Sequence, residues 1–288
     1  MRKISKDIYK GVEKYMNMTL VQASIANNGE AIIIVADRLL TSSFGRDFPD
    51  YESEGASPKI FLRGNIGVGF AGSALYSDMA ISEVSSLSIT DFDETVKKIS
   101  EFVKKQREVI INNEVVRVTG ITSQKFFSNS ENVPEEVKGY VYGWRNDFRF
   151  NFQCIVAGFD KDDNSGISYI TSEGDIISVT NFGVGSIGSG APFSEIYFDQ
   201  YNYDMSMPEI ESLFFAYKAK RWAEAPTGVG LKTDILILRK DVTPVKISDE
   251  DKLMKEIREA YNKEKEKESK IRENLLKQLI KNNLEVLR

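Results

Sequence analysis

The chain has 288 residues, a net charge of −5 and 41% hydrophobic residues, which is typical of a globular protein with one large domain and appendages. It contains no histidine, so Ser-His-Asp and Cys-His catalytic sites and imidazole-based zinc sites are excluded. The negative charge gives no indication of nucleic-acid binding, and no apolar run reaches the roughly 18 residues of a membrane span. We therefore expect neither nucleic acid nor a membrane as a partner.

The single cysteine, Cys154, lies in an apolar, strand-like run, so it is predicted to be a core residue and not a nucleophile. A lone cysteine cannot form an intrachain disulfide, and the N-terminus lacks the apolar segment of a signal peptide. Both observations favour a cytoplasmic location. The glycine-rich run 183–190 lacks the lysine and the strand-to-helix context of a phosphate loop, so we expect no nucleotide and no other cofactor. Because the chain has no histidine, we expect no metal either.

The first predicted elements are a leader helix and a hairpin. In residues 1–18, apolar residues recur at helical spacing, which predicts a short amphipathic helix. Two runs of β-branched and small apolar residues then flank Asn27-Asn28-Gly29, a turn whose residues tolerate positive φ. Antiparallel pairing of the two runs is expected to bring Thr19 and Asp37, at their outer ends, close together.

Downstream of the hairpin the pattern is mixed. Residues 39–57 are polar and include glycine and proline, which predicts a loop or a ragged hairpin. A strand is predicted over 66–70, and helices are predicted over 73–86 and 91–105. The pattern of residues 106–148 favours no particular element.

The second half of the domain contains clearer signals. Short strands separated by turn residues are predicted over 150–159, 167–171 and 176–180, which is typical of an antiparallel meander. Two helices, over 191–201 and 208–223, and a closing strand over 233–240 follow. This order of elements predicts an α+β sandwich of sheets flanked by helices.

The composition changes at Ser248, where charged residues begin to alternate with an apolar stripe at helical spacing. We expect one long helix or two, packing on a neighbouring molecule or on the chain's own domain; a solvated charged tail is the alternative. The predicted organisation is a leader or N-terminal helix over 1–18, a domain over 19–243 and a charged helical extension over 244–288.

Several short motifs occur in a characteristic order: Thr19, the Asn-Gly turn, Val35-Ala36-Asp37-Arg38, Lys59-Ile60, Phe70-Ala71-Gly72-Ser73, Val156-Ala157-Gly158-Phe159-Asp160, Gly185-Ser186-Ile187-Gly188-Ser189-Gly190 and Thr227-Gly228-Val229-Gly230. With these motifs the chain resembles the proteasome β-type family and its bacterial ring-peptidase relatives, which are N-terminal nucleophile hydrolases. The resemblance implies a four-layer αββα fold, threonine-type peptidase activity on peptides or unfolded proteins, and a homo-oligomer or ring.

The resemblance also accounts for the missing histidine. In that family the threonine that begins the mature chain attacks a peptide carbonyl, and its own α-amino group, with a reference pKa of about 7.7 to 8.0, acts as the base. By position, the resemblance implies Thr19 as nucleophile after leader removal, Lys59 as the adjacent cation, Asp37 as the group orienting Lys59, Ser189 as the contact of the amino terminus, Glu224 and Thr227 in supporting positions, and Gly72 as the oxyanion donor.

The chain departs from the family pattern at Met18, where glycine precedes the threonine in the family, at Leu39 in place of arginine and at Glu224 in place of aspartate. A second interpretation is therefore a catalytically silent structural or gating subunit that retains its N-terminal helix and docks a regulatory partner. In that case Thr19 is an ordinary strand threonine and Lys59 an ordinary loop lysine.

Overall fold

The computed structural model of the chain describes residues 19–42, 51–54, 58–87, 91–128, 131, 133–227 and 229–282. The leader helix predicted over 1–18 lies outside these residues. Within the described ranges, no helix is long and apolar enough to cross a membrane.

The described residues form twelve strands and seven α-helices. The strands are β1 (Val21–Ala26), β2 (Ala31–Asp37), β3 (Leu39–Ser42), β4 (Tyr51–Glu54), β5 (Ile60–Arg63), β6 (Ile66–Gly72), β7 (Phe152–Phe159), β8 (Ser165–Ile170), β9 (Ile176–Ser178), β10 (Val184–Ile187), β11 (Thr233–Arg239) and β12 (Val242–Ile247). The helices are α1 (Ala74–Ser85), α2 (Phe92–Thr119), α3 (Ser123–Ser128), α4 (Glu135–Asp147), α5 (Ala191–Gln200), α6 (Glu209–Thr227) and α7 (Lys252–Asn282).

The predicted opening hairpin is confirmed. β1 and β2 pair antiparallel from Val21 opposite Ala36 to Ala26 opposite Ala31. The connecting Asn27, Asn28 and Gly29 all have positive φ, at 53°, 56° and 91°, a conformation that asparagine and glycine adopt at lower cost than other residues. The outer ends of the hairpin therefore meet, as the sequence predicted.

Two five-stranded antiparallel sheets stack face to face. The first has the order β10-β1-β2-β11-β12 and the second the order β5-β6-β7-β8-β9. Their facing side chains, among them Val21, Ile34, Ile155 and Ile167, form one buried cluster. Gly69 on β6 allows the close approach of the sheets, because a Cβ there would collide with the side chain of Val21.

Helices cover both outer faces. α1 and α2 pack on the second sheet, where they share a core with residues such as Phe70 and Phe152, and α5 and α6 pack on the first sheet. The buried thiol of Cys154 belongs to the core beneath α2, and burial raises the pKa of this thiol. The predicted α+β sandwich with four αββα layers is confirmed.

Several segments differ from, or add to, the sequence prediction. α2 continues to Thr119, and α3 and α4 fill the region without a prediction; Val115, Phe126 and Val141 form a separate small core there. The periodicity was hard to recognise because α2 packs on the sheet with its first half and on α3 and α4 with its second. The edge strand β12 was missed because it is largely exposed and contains Pro244. The ragged hairpin is confirmed as β3 paired with β4.

A second compact unit begins at Ile247. It contains α7, a single helix of 31 residues, so the predicted C-terminal helix is confirmed. Before the helix, the Asp251 carboxylate accepts a hydrogen bond from the Ser248 amide at 2.6 Å, and Arg258 pairs with Asp249 at 2.5 Å. In the C-terminal part of α7 the side chains of Ile271, Leu275 and Leu276 are at least half exposed.

Candidate active site

Thr19 is held in place from two directions. It precedes β1 and is only 3% exposed. On one side, the Leu20 carbonyl accepts a hydrogen bond from the Asp37 amide at 3.1 Å, which extends the pairing of β1 with β2. On the other side, the Thr19 carbonyl accepts from the Gly190 amide at 3.1 Å. Leu20 also packs against Val229, which anchors the start of the strand in a small apolar cluster.

The hydroxyl of Thr19 lies against a buried ion pair. It donates to Asp37 Oδ1 at 3.1 Å and accepts a hydrogen bond from Lys59 Nζ. Lys59 Nζ also donates to the same carboxylate oxygen at 2.8 Å. Asp37 is fully buried and Lys59 is 8% exposed, so little water competes for these contacts. The structure thus brings three of the predicted site residues together.

Lys59 reaches this position from the second sheet. It immediately precedes β5, and its carbonyl accepts a hydrogen bond from the Phe70 amide of β6 at 3.1 Å. Asp37, in contrast, ends β2 of the first sheet. The ion pair therefore joins the two sheets at one end of the sandwich.

Several donors fix the orientation of the Asp37 carboxylate. Oδ1 accepts from the Leu20 amide at 2.8 Å, in addition to Lys59 and Thr19. Oδ2 accepts from the amides of Leu39 and Gly230 at 2.9 and 3.1 Å. A carboxylate with this many partners has little freedom to rotate, so it presents a fixed negative charge to the lysine.

Ser189 also meets Thr19. Its hydroxyl accepts a hydrogen bond from the Thr19 backbone nitrogen at 3.2 Å. The preceding residue, Gly188, has φ of 90° and lies so close to the Thr19 carbonyl that a Cβ there would collide with it. Its amide donates to Gln153 Oε1 at 3.0 Å. The turn over 188–190 is therefore shaped around Thr19.

The remaining predicted site residues have other surroundings. Gly72 ends β6 opposite Phe152. The Glu224 carboxylate pairs with two cations of its own helix, Lys220 at 2.5 Å and Arg221 at 2.7 Å. Thr227 is the last residue of α6, and its side chain lies outside the described part of the chain. The roles of these three residues, like the catalytic roles assigned to Thr19, Asp37, Lys59 and Ser189, stay predictions.

Sequence reasoning missed a second buried lysine, Lys220 on α6, which is 0% exposed. Its ammonium donates to Glu224 Oε1 at 2.5 Å and to the carbonyls of Gly230 and Leu231 at 2.6 and 3.0 Å. Burial lowers the pKa of Lys220 and raises the pKa of Glu224. The available signal was a lysine on the apolar stripe of a helix with glutamate four residues later.

The fold is that of the proteasome-like N-terminal nucleophile hydrolases. Two solved structures with a similar fold are Anbu proteins, described as ancestral beta-subunits. Anbu from Yersinia bercovieri matches with a TM-score of 0.56 and 14% identity over 85% of this chain and 94% of its own. The Anbu (Gly-1) mutant from Hyphomicrobium sp. strain MC1 matches with a TM-score of 0.57 and 14% identity over 88% and 97%. No family model and no curated protein matches the chain.

The prediction that the chain belongs to the proteasome β-type family is wrong. Two solved structures that its fold matches are Anbu proteins, which are proteasome-like but form a distinct family. The motifs quoted for the resemblance shape the hairpin, the sheet ends and the turn around Thr19, which are features of the shared fold. They do not separate one family with this fold from another, and 14% identity shows the fold alone.

Proposed function

We propose that the protein is a threonine-type peptidase in which Thr19 becomes the N-terminal nucleophile after removal of residues 1–18. The observation that carries the proposal is the double contact of Thr19. Its hydroxyl lies against Lys59 Nζ while its backbone nitrogen lies 3.2 Å from Ser189 Oγ. Nucleophile, cation and a polar contact for the amino terminus thus converge on one buried residue, in a chain without histidine.

The proposed reaction is acyl transfer followed by hydrolysis. The Thr19 hydroxyl loses its proton to the free α-amino group while Oγ1 forms a bond to the substrate carbonyl carbon. The carbonyl oxygen becomes an oxyanion, for which the Gly72 amide is the proposed donor. Collapse of this intermediate breaks the peptide C–N bond, and the leaving amine takes up the proton. Water then attacks the resulting ester and releases the acid from Thr19.

Lys59 and Asp37 prepare the hydroxyl for this step. A cation in contact with Oγ1 stabilises the negative charge that develops as the proton leaves, and low accessibility to water strengthens the effect. Asp37 holds Lys59 through the 2.8 Å ion pair and is itself held by backbone amides. The lysine therefore needs little reorganisation during the reaction.

Leader removal is the direct test, because the nitrogen of Thr19 is an amide in the full chain and an amide cannot act as a base. We expect intact mass spectrometry to show a species that begins at Thr19. The hydroxyl would attack the Met18 carbonyl carbon, so Thr19→Ala should keep the full mass. Thr19→Ser, which retains a hydroxyl, is the matched control and should still release the leader.

A second candidate is a catalytically silent structural or gating subunit. Met18 favours it, because self-cleavage before Thr19 would need a tight turn there, and glycine accommodates such a turn more readily than methionine. Retention of residues 1–18 by native wild-type protein would support this candidate and contradict the peptidase. The same mass measurement thus separates the two.

We further propose that the protein assembles into a homo-oligomer and that the apolar stripe of α7 contributes to assembly. Ile271 and Leu275, four residues apart on one face of the helix, belong to this stripe and are 59% and 54% exposed within one chain. Burying an aliphatic side chain contributes roughly 1.5 to 3 kcal/mol, and a second copy of the chain offers the same stripe in return.

Replacing two residues of this stripe tests the assembly. Ile271→Gln with Leu275→Gln should lower the mass measured by light scattering while leaving the melting temperature of the released chain intact, because both side chains are exposed in the single chain. Lys270→Gln with Lys277→Gln places the same residue type on the opposite face of the helix and should not change the mass. An unchanged mass for the first variant would show that the stripe does not contribute.

A further inference from the structure

Lys220 joins α6 to the segment that follows it. The buried ammonium has three N–H donors, and three acceptors lie at hydrogen-bonding distance: Glu224 Oε1, the Gly230 carbonyl and the Leu231 carbonyl. Two of these acceptors are backbone groups of one short segment. The lysine thereby fixes the path of the chain at Gly230 and Leu231.

The same segment reaches the candidate active site. The Gly230 amide donates to Asp37 Oδ2 at 3.1 Å, on the carboxylate whose other oxygen accepts from Lys59. One peptide unit further back, Val229 packs against Leu20, the neighbour of Thr19. The carbonyl of Gly230 thus contacts Lys220 while its amide contacts Asp37, so the residue connects the two ionic groups.

We infer that Lys220 is a positioning residue for the proposed peptidase, acting through Gly230 to hold the Asp37 carboxylate in the orientation that fixes Lys59 against Thr19. The inference rests on the proposed function for its catalytic meaning. Whether Lys220 holds the Gly230 amide on Asp37 can be measured without any turnover of substrate.

The burial of Lys220 supports a specific role. Removing an ammonium from water is costly, and replacing a buried ion pair by apolar groups of similar volume is often neutral or stabilising. Methionine would fill the space of Lys220 without that cost but could not bond the carbonyls of Gly230 and Leu231. The charged residue is therefore better explained by the position of its acceptors than by stability.

The test compares two variants of the full chain. Lys220→Met combined with Glu224→Gln removes the ammonium without leaving a buried carboxylate unpaired. Glu224→Gln alone is the matched control, because it keeps the lysine and its contacts to the carbonyls. We expect amide hydrogen exchange at Gly230 to be about tenfold faster in the double variant than in the control, whereas exchange in β11 stays unchanged. In protein that has released the leader, kcat for peptide hydrolysis should be lower by a similar factor in the double variant than in Glu224→Gln alone. KM should be the same in both.

Equal Gly230 exchange in the double variant and the control would overturn the inference, whatever the activity. Faster exchange with an unchanged kcat would overturn it as well. If wild type neither releases its leader nor hydrolyses peptides, the proposed peptidase fails, while faster Gly230 exchange still supports the positioning of the carboxylate. If the double variant does not fold, amide hydrogen exchange is measured on the wild-type protein. A Gly230 amide that is not protected from exchange there contradicts the inference.

Discussion

Replacing Lys59 by methionine is expected to lower the rate of peptide hydrolysis by a factor of about a hundred to a thousand. The ammonium contacts the Thr19 hydroxyl and pairs with Asp37 at 2.8 Å, so its loss removes the charge that stabilises the developing alkoxide. Methionine keeps most of the side-chain volume. The effect should therefore appear in kcat and much less in KM, as for a group that acts in the transition state.

This experiment needs protein that begins at Thr19 independently of self-cleavage, because the variant should also fail to release the leader. Proteolytic removal of a tag placed directly before Thr19 provides such protein. Lys97→Met, on the exposed face of α2, is the matched control and should keep wild-type rates. Melting temperatures of both variants separate a catalytic defect from loss of the fold. Comparable rates for Lys59→Met and wild type would show that the lysine has no catalytic part.

The second large effect is expected for Gly188→Ala. The residue has φ of 90°, and a Cβ would collide with the carbonyl of Thr19. The left-handed backbone alone costs roughly 1 to 2 kcal/mol for an L-residue. The collision adds to that cost or moves Thr19 away from Lys59, so hydrolysis should fall by at least about tenfold, since small misplacements at a reaction centre are costly.

Gly120→Ala isolates the backbone contribution. Gly120 follows the last residue of α2 as its C-cap with φ of 72°, but nothing lies within 4 Å of the Cβ that alanine would add. Both variants should lose stability in denaturant unfolding, and only Gly188→Ala should lose activity. A Gly188→Ala protein with the rate of the Gly120→Ala protein would mean that the turn does not position Thr19.

The sequence was sufficient to predict the parts of the fold in which local chemistry and burial agree. The hairpin around Asn27-Asn28-Gly29 combines turn residues with strongly apolar strands, and its pairing places Thr19 beside Asp37. The helix predicted over 191–201 corresponds to α5, which spans Ala191–Gln200. The C-terminal end of α2 could not be predicted, because the apolar residues of its first half pack on the second sheet and those of its second half pack on α3 and α4.

The candidate site was predictable where a resemblance supplied positions, and less so where contacts depend on tertiary packing. Lys59 and Ser189 lie beside Thr19, although their distances from Thr19 along the chain do not predict these contacts. Glu224 was expected near the nucleophile, and its described partners are Lys220 and Arg221. Lys220 was overlooked because a lysine on a helix is ordinarily solvated, and only the folded chain shows its three acceptors.

The distribution of the partners of Thr19 along the chain would set the earliest moment for the proposed self-cleavage. Asp37 belongs to one sheet, Lys59 adjoins the other, and Ser189 lies 170 residues after Thr19 in the chain. At synthesis rates of about 5 to 20 residues per second, roughly 9 to 34 s separate the synthesis of Thr19 from that of Ser189. By the proposed chemistry, a nascent or half-folded chain cannot release a reactive amino terminus. The time at which that terminus appears would then report when folding is complete, and it can be measured in a pulse-labelled translation reaction.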